Sequence, residues 1–248
     1  MPKPWWKKKA FRVTVIIVVI LAGLVVLTDR IAASIAENKV ATLIAKEAGN
    51  QKIELKSEPD VDVTGFPFLT QVLGGNYDRI DIGFKDLTAS GVTLPRLDVH
   101  ASNVDAPLSQ VLKGQGPITA GSMTAEAKLD YKTVTELMGE TTSNLRIEGV
   151  GGKLKITATL EAAGVSVSLE GTGTVQVSKD AVSVTVDQLR PVGGSPIPGA
   201  DGMINAFAQK LNKEIPLPPL PYDLALNDVK VETDAIVVSA TASGVQLV

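Results

Sequence analysis

The chain has no cysteine in its 248 residues and a single histidine, His100. That excludes disulfides, thiolate metal sites and thiol nucleophiles, and leaves one imidazole for any triad. A zinc site would have to be built mostly from carboxylates. Aromatic residues make up only 4% of the chain, too few for a carbohydrate-stacking cleft. The glycine-containing stretches GGNYDR and RPVGGSPIPG lack a phosphate-loop pattern, so no cofactor is expected. Paired carboxylates such as Asp60/Asp62, Asp78/Asp81 and Glu232/Asp234 fall at strand ends or on polar faces, where solvated charge is the expectation. His100, sharing a face with Arg96 and Asp98, reads the same way. No active site emerges from these residues, and the expectation is a non-enzyme.

One long apolar run is present. Lys3, Lys7, Lys8, Lys9 and Arg12 precede the segment Val13–Leu27, which ends at Thr28-Asp29-Arg30. At 15 residues the segment is short for a spanning helix of about 20 and long for a signal-peptide core. Trp5 and Trp6 suit a membrane interface, and Ile31 and Ala33 make only a poor cleavage site. An uncleaved anchor is favoured over a cleaved signal. Either way, the basic flank predicts that residues 31–248 lie on the extracytoplasmic side of the membrane, which in a two-membrane envelope is the periplasmic side. Residues 1–30 are thus a basic tail with an anchor or signal segment, and residues 31–248 a single exported domain.

Six of the 24 basic residues and one of the 27 acidic residues fall in positions 1–30. The remaining 18 against 26 give the domain a net charge of about −8, which excludes nucleic acid as a partner and a polybasic grip on anionic membrane.

Within the domain, residues 31–48 predict a helix with Ile31, Ile35, Leu43 and Ile44 beside Ala32, Ala36 and Val40 on one docked stripe. Thereafter the pattern is mostly of period two. It is clearest over 153–161, 164–177 and 181–189, where Leu154, Ile156, Ala158 and Leu160, then Val167 and Leu169, then Val184 share an inward face. Short helices are predicted near 107–112, 131–138 and 200–213, the last presenting Phe207. The proline-rich stretch 215–222 must run extended.

The fold class expected is α+β, mainly β: a long curved antiparallel sheet wrapped around helices to enclose an elongated apolar cavity. Slim inward residues, with room at Ala158, Gly171 and Gly173, would line it. A solidly packed sandwich is the alternative, and glycine in a strand can equally mark a bulge. The segment VTGFPFLTQVLGG (63–75) reads as a turn set off by glycines, with Phe66, Phe68, Leu69, Val72 and Leu73 forming either an ordinary core corner or an apolar lip at the cavity.

Several stretches together resemble a known family. They are PDVDVTGFPFLTQVLGGNYDRIDI (59–82), APLSQVLKG (106–114) and PLPPLPYDLALNDVKVETDAIVVSATASGVQL (216–247), behind an N-terminal anchor and helix. The combination is similar to the LmeA-type phospholipid-binding proteins of the actinobacterial cell envelope. The resemblance implies a tubular lipid-binding fold, phospholipid as partner and a role in mannan elongation of lipoglycans. It supplies no catalytic residues. Headgroup contacts would be local, with Arg79, Lys85, Arg96, Lys153 and Lys155 as candidates. The other function class considered is an interaction module docking a membrane enzyme such as a glycosyltransferase.

Overall fold

The computed structural model describes residues 6–50, 52–89, 92–113, 117–138, 144–162, 165–178, 181–193, 199–216 and 220–247. Trp5, residues 163–164 and 179–180, and the proline-rich residues 217–219 lie outside them.

The first element is one unbroken helix, α1 (Trp6–Asn50), joining the apolar run to the helix predicted over 31–48. No proline interrupts it, and Gly23 has open space around it. After α1 come β1 (Glu54–Leu55), β2 (Asp60–Thr64), a short helix α2 (Phe68–Gly74), β3 (Asn76–Ala89) and β4 (Val92–Asp105). Next are α3 (Leu108–Lys113), β5 (Thr119–Asp130), α4 (Tyr131–Leu137), β6 (Arg146–Val150), β7 (Lys153–Ala162), β8 (Val165–Ser178) and β9 (Ala181–Pro191). The chain ends with α5 (Asp201–Leu211), β10 (Lys213–Pro216), a 3-10 turn at Pro221–Asp223, β11 (Ala225–Val231) and β12 (Ala235–Gln246).

The mainly-β, α+β expectation holds, with the strands divided between two antiparallel sheets. The larger has seven strands in the order β1-β3-β4-β5-β12-β11, with β2 also paired to β3. The smaller runs β10-β9-β8-β7-β6. The three regular strands read from period two form its centre, and Pro216 sits where a missing N–H is tolerated, on the edge strand β10.

The two sheets meet over β12. Leu154, Ile156, Val182 and Val184 of the smaller sheet pack with Ile236 and Val238 of the larger. A second cluster, of Ala101, Val104, Ala120, Met123 and Val245, fills the end of the larger sheet where β3 begins. A third ties Ala33 of α1 to Val63 and Phe68.

α1 docks through a different face from the one its large side chains predict. Ile31, Ile35 and Leu43 are exposed, whereas Ala33 and Ala41 are buried. The docked stripe is Asp29, Ala33, Glu37 and Ala41, one residue per turn. Alanines let the helix approach closely, and the two carboxylates fix its rotation. Asp29 accepts from the amides of Phe68 and Leu69, each at 2.9 Å, and Glu37 Oε1 accepts from the amide of Val63 at 3.0 Å.

Candidate lipid-binding site

Most of the inward residues expected on β7, β8 and β9 are fully buried. Leu154, Ile156, Ala158, Leu169 and Val184 are all 2% exposed or less. The glycines beside them are close approaches of backbone. A Cβ on Gly171 would run into the carbonyl of Gln188, at a bulge between Thr172 and Gly173. One on Gly173 would lie 3.0 Å from both Ile156 Cδ1 and the Thr185 carbonyl. Of the two readings of these glycines, the bulge is the one realised. Leu160, Val167 and Phe207 are partly buried against a neighbouring cluster built on Leu169, Ala200 and Ile204. These eight residues are therefore brought together with one another, at a distance in the fold from the residues of α2.

Apolar surface left unpacked lies on the larger sheet. Register places Val61, Ile82, Val99 and Ala125 in one row across β2, β3, β4 and β5, and Phe84, Leu97 and Ala127 in the next. Val99 leans on the second cluster. Val61, Ile82, Phe84, Leu97, Ala125 and Ala127 are partly exposed and, among the described residues, belong to none of the four packed clusters. Four strands at their usual spacing make this an open apolar face about 14 Å across. It is bounded on one side by the intersheet core and on the other by the row Val63–Ile80–Ala101–Met123, which the second and third clusters cover.

The motif around Phe66 forms the end wall of that face. Gly65, at φ +105°, turns the chain out of β2, and Gly75, at φ +76°, closes α2 in the left-handed conformation. Gly75 has a second constraint, since a Cβ there would come within 2.8 Å of Pro107 Cα. Between the glycines the side chains divide. Phe68 is buried at 4% exposure, its ring 6.4 Å from that of Tyr77 and packed with Ala33 and Val63. Val72 joins it. Phe66, Leu69 and Leu73 point outward, at 56%, 40% and 83% exposure. Arg30 connects the outer side to α1: its Nη2 donates to the Gly65 carbonyl at 3.1 Å, and its guanidinium lies 5.6 Å from the Phe66 ring centroid.

The polar face of the larger sheet carries several ion pairs. Lys85 meets Asp60 at 2.6 Å, Arg96 meets Asp98 at 2.6 Å, and Lys128 meets Glu232 at 3.3 Å. His100 is part of this network: its Nδ1 lies 2.6 Å from Asp81 Oδ1 and 3.0 Å from Arg79 Nη2. Burial pushes the Asp81 carboxyl upward, but Arg79 and His100 prevail and hold it below its ordinary value of 3.8. Two clefts lie along these strands. One of about 190 Å³ is lined by Asp60, Lys85, Asp98 and His100, and one of about 330 Å³ by Glu54, Lys56, Asp86 and Thr93. Lys56 pairs with Asp86 at the larger cleft, and at the smaller Arg79, Lys85 and Arg96 are engaged in internal pairs. Lys153 and Lys155 stand exposed on β7, and among the described residues no three His, Asp or Glu side chains group as a metal site.

Residues 27–241 match the model of the family described as LmeA-like phospholipid-binding. The chain belongs to that family. No curated protein and no solved structure matches it. The part matched by the LmeA-like family begins at Leu27, so it takes in Asp29 and Arg30, the residues that join α1 to the Phe66 motif. Among the described residues α1 is the one helix long and apolar enough to cross a membrane, and its segment Val15–Leu27 has the composition of a signal sequence or an anchor. Sequence reasoning missed the open face, because its residues alternate like those of any half-buried sheet. The burial of Asp29 had a faint signal in an acidic residue placed directly after an apolar run.

Proposed function

We propose that this chain is a membrane-anchored, non-enzymatic phospholipid-binding protein whose lipid lies with its acyl chains along the open apolar face of the larger sheet. The observation that carries this reading is the double row Val61–Ile82–Ala125 and Phe84–Leu97–Ala127, apolar, partly exposed and outside every packed cluster. Each methylene laid on such a surface gains up to about 0.8 kcal/mol, so the chains supply affinity without a charged site. The family description supports phospholipid as the ligand. The paired state of Arg79, Lys85 and Arg96 supports binding led by the acyl chains.

The anchor is retained in this proposal. Asp29, Arg30 and Ala33 are all engaged by the domain, and cleavage near Ala33 would remove the first two. The domain then stands on the extracytoplasmic side of the envelope, as the basic flank of α1 implies. Support of lipoglycan elongation, with a membrane glycosyltransferase as partner, rests on likeness to the family alone. The phospholipid-binding reading is tested by native mass spectrometry of the detergent-purified full chain with lipid extraction. Co-purifying phospholipid, reduced when Ala127 is replaced by a bulky residue, is expected. A chain that neither carries nor takes up lipid would overturn it.

A further inference from the structure

Outside α1, the exposed large apolar side chains are unevenly placed. Val150, Val192 and Met203 are scattered over the smaller sheet and α5. Phe66, Leu69, Leu73, Leu108 and Tyr222 all fall at one end of the larger sheet. Leu69 and Leu73 lie four apart on one face of α2, and Phe66 stands just before its extended cap Pro67. Leu108 follows Pro107, which abuts Gly75 at the end of α2. Tyr222 belongs to the turn packed on β12, two residues before Leu224 of the second cluster.

The same end is where the apolar run of α1 stops. Leu27 is the last residue of that run, and its side chain, like those of Val15–Val26, is exposed with no protein against it. Asp29 follows two residues later, about 3 Å along the helix, and both its oxygens hold the first amides of α2. A bilayer crossed by Val13–Leu27 therefore has its surface within about one helical turn of Phe68 and Leu69. Arg30 packs against Phe66 at that level, where a cation over an aromatic ring meets lipid headgroups.

We infer that Phe66, Leu69, Leu73, Leu108 and Tyr222 form a foot that inserts into the interfacial layer of the same bilayer that α1 crosses. The occupant of this apolar surface is lipid, and not a protein partner, because the clamp between Asp29 and α2 leaves headgroups as its neighbours. The inference rests on the anchored reading above. It assigns the outward half of the Phe66 motif to the membrane and the inward half, Phe68 and Val72, to the end wall of the lipid-binding face. Lipid leaving the outer leaflet would then reach the open apolar face past α2.

The absence of cysteine makes the test direct. Single-cysteine variants Leu21→Cys, Leu73→Cys, Leu108→Cys and Met203→Cys of the full chain are labelled with an environment-sensitive fluorophore. They are reconstituted in phosphatidylcholine–phosphatidylglycerol vesicles carrying nitroxide at shallow or deep acyl positions. All four side chains are exposed, so the fold is undisturbed. The labels at 73 and 108 should shift to the blue and be quenched by the shallow nitroxide, whereas the label at 203 should report water. The label at 21 should be quenched by the deep nitroxide. Labels at 73 and 108 that behave like that at 203, with 21 still quenched, overturn the foot alone. Loss of quenching at 21 overturns the anchored reading and the foot with it.

Discussion

Asp29 Oδ2 accepts a 2.9 Å hydrogen bond from the amide of Phe68, across 39 residues of chain, and Oδ1 takes the next amide, that of Leu69. Asp29→Ala removes both acceptors at once, and Asp29→Asn leaves one carbonyl oxygen to serve two donors. In the alanine variant the Phe68 and Leu69 amides should exchange with solvent at least about tenfold faster, with the asparagine variant between it and the parent. Hydrogen exchange with residue resolution measures this. The helical signal of α1 should be unchanged.

The two phenylalanines of the Gly-Phe-Pro-Phe motif should separate cleanly. Phe66→Ser removes a ring that is 56% exposed, so stability should change by no more than about 0.5 kcal/mol, while the blue shift of a label at position 73 in vesicles should lessen. Phe68→Ser empties the contact with Tyr77, Ala33 and Val63 and should cost about 3–5 kcal/mol in a urea melt. Equal melts for the two variants would contradict the division of the motif into an outer and an inner side.

A pair of alanines tests where the lipid lies. Ala127→Phe puts a ring on the open row beside Leu97 and should lower the phospholipid retained per chain with little change in the melting temperature. Ala158→Phe, at a site 1% exposed, should instead destabilise by about 1–3 kcal/mol or more through overpacking. Native mass spectrometry and calorimetry on the same two preparations give both readings.

These contrasts also show what the sequence could and could not convey. Strict alternation in KLKITATLE and AVSVTVDQL made β7 and β9 legible, since period two with one wet face has few other solutions. It could not tell a filled face from an open one. Leu154 and Leu97 alternate alike, and only the covering of one by the other sheet and not of the second distinguishes them. The rotation of α1 was hidden for a related reason. Hydrophobicity turns Ile31 and Ile35 inward, yet the bonds of Asp29 and Glu37 to distant amides decide the face. α2 reads as a turn in the sequence because seven residues are too few for a helical period to show.

The acid side of the stability profile carries a signature of Asp81. Its folded-state pKa lies below the ordinary 3.8, so its pairing stabilises the fold above that value and is lost as pH falls through the depressed one. Asp81→Asn should cost about 1 kcal/mol or less near neutrality and flatten the decline in stability on acidification below about pH 4. Urea midpoints taken from pH 7 down to about pH 2.5 measure the difference.

The unbroken course of α1 bears on how any lipid could travel. A ferry needs a joint between its tether and its cargo hold, and this helix runs 45 residues with no proline and is stapled to the domain at Asp29, Glu37 and Ala41. On the anchored reading, Asn50 stands about 30 Å along the shaft above Asp29, and the domain keeps one height and one bearing over the bilayer. Cargo must then move past a stationary protein. Under the proposed function such a molecule would serve as a ramp at the membrane surface, its throughput set by how fast lipids climb it.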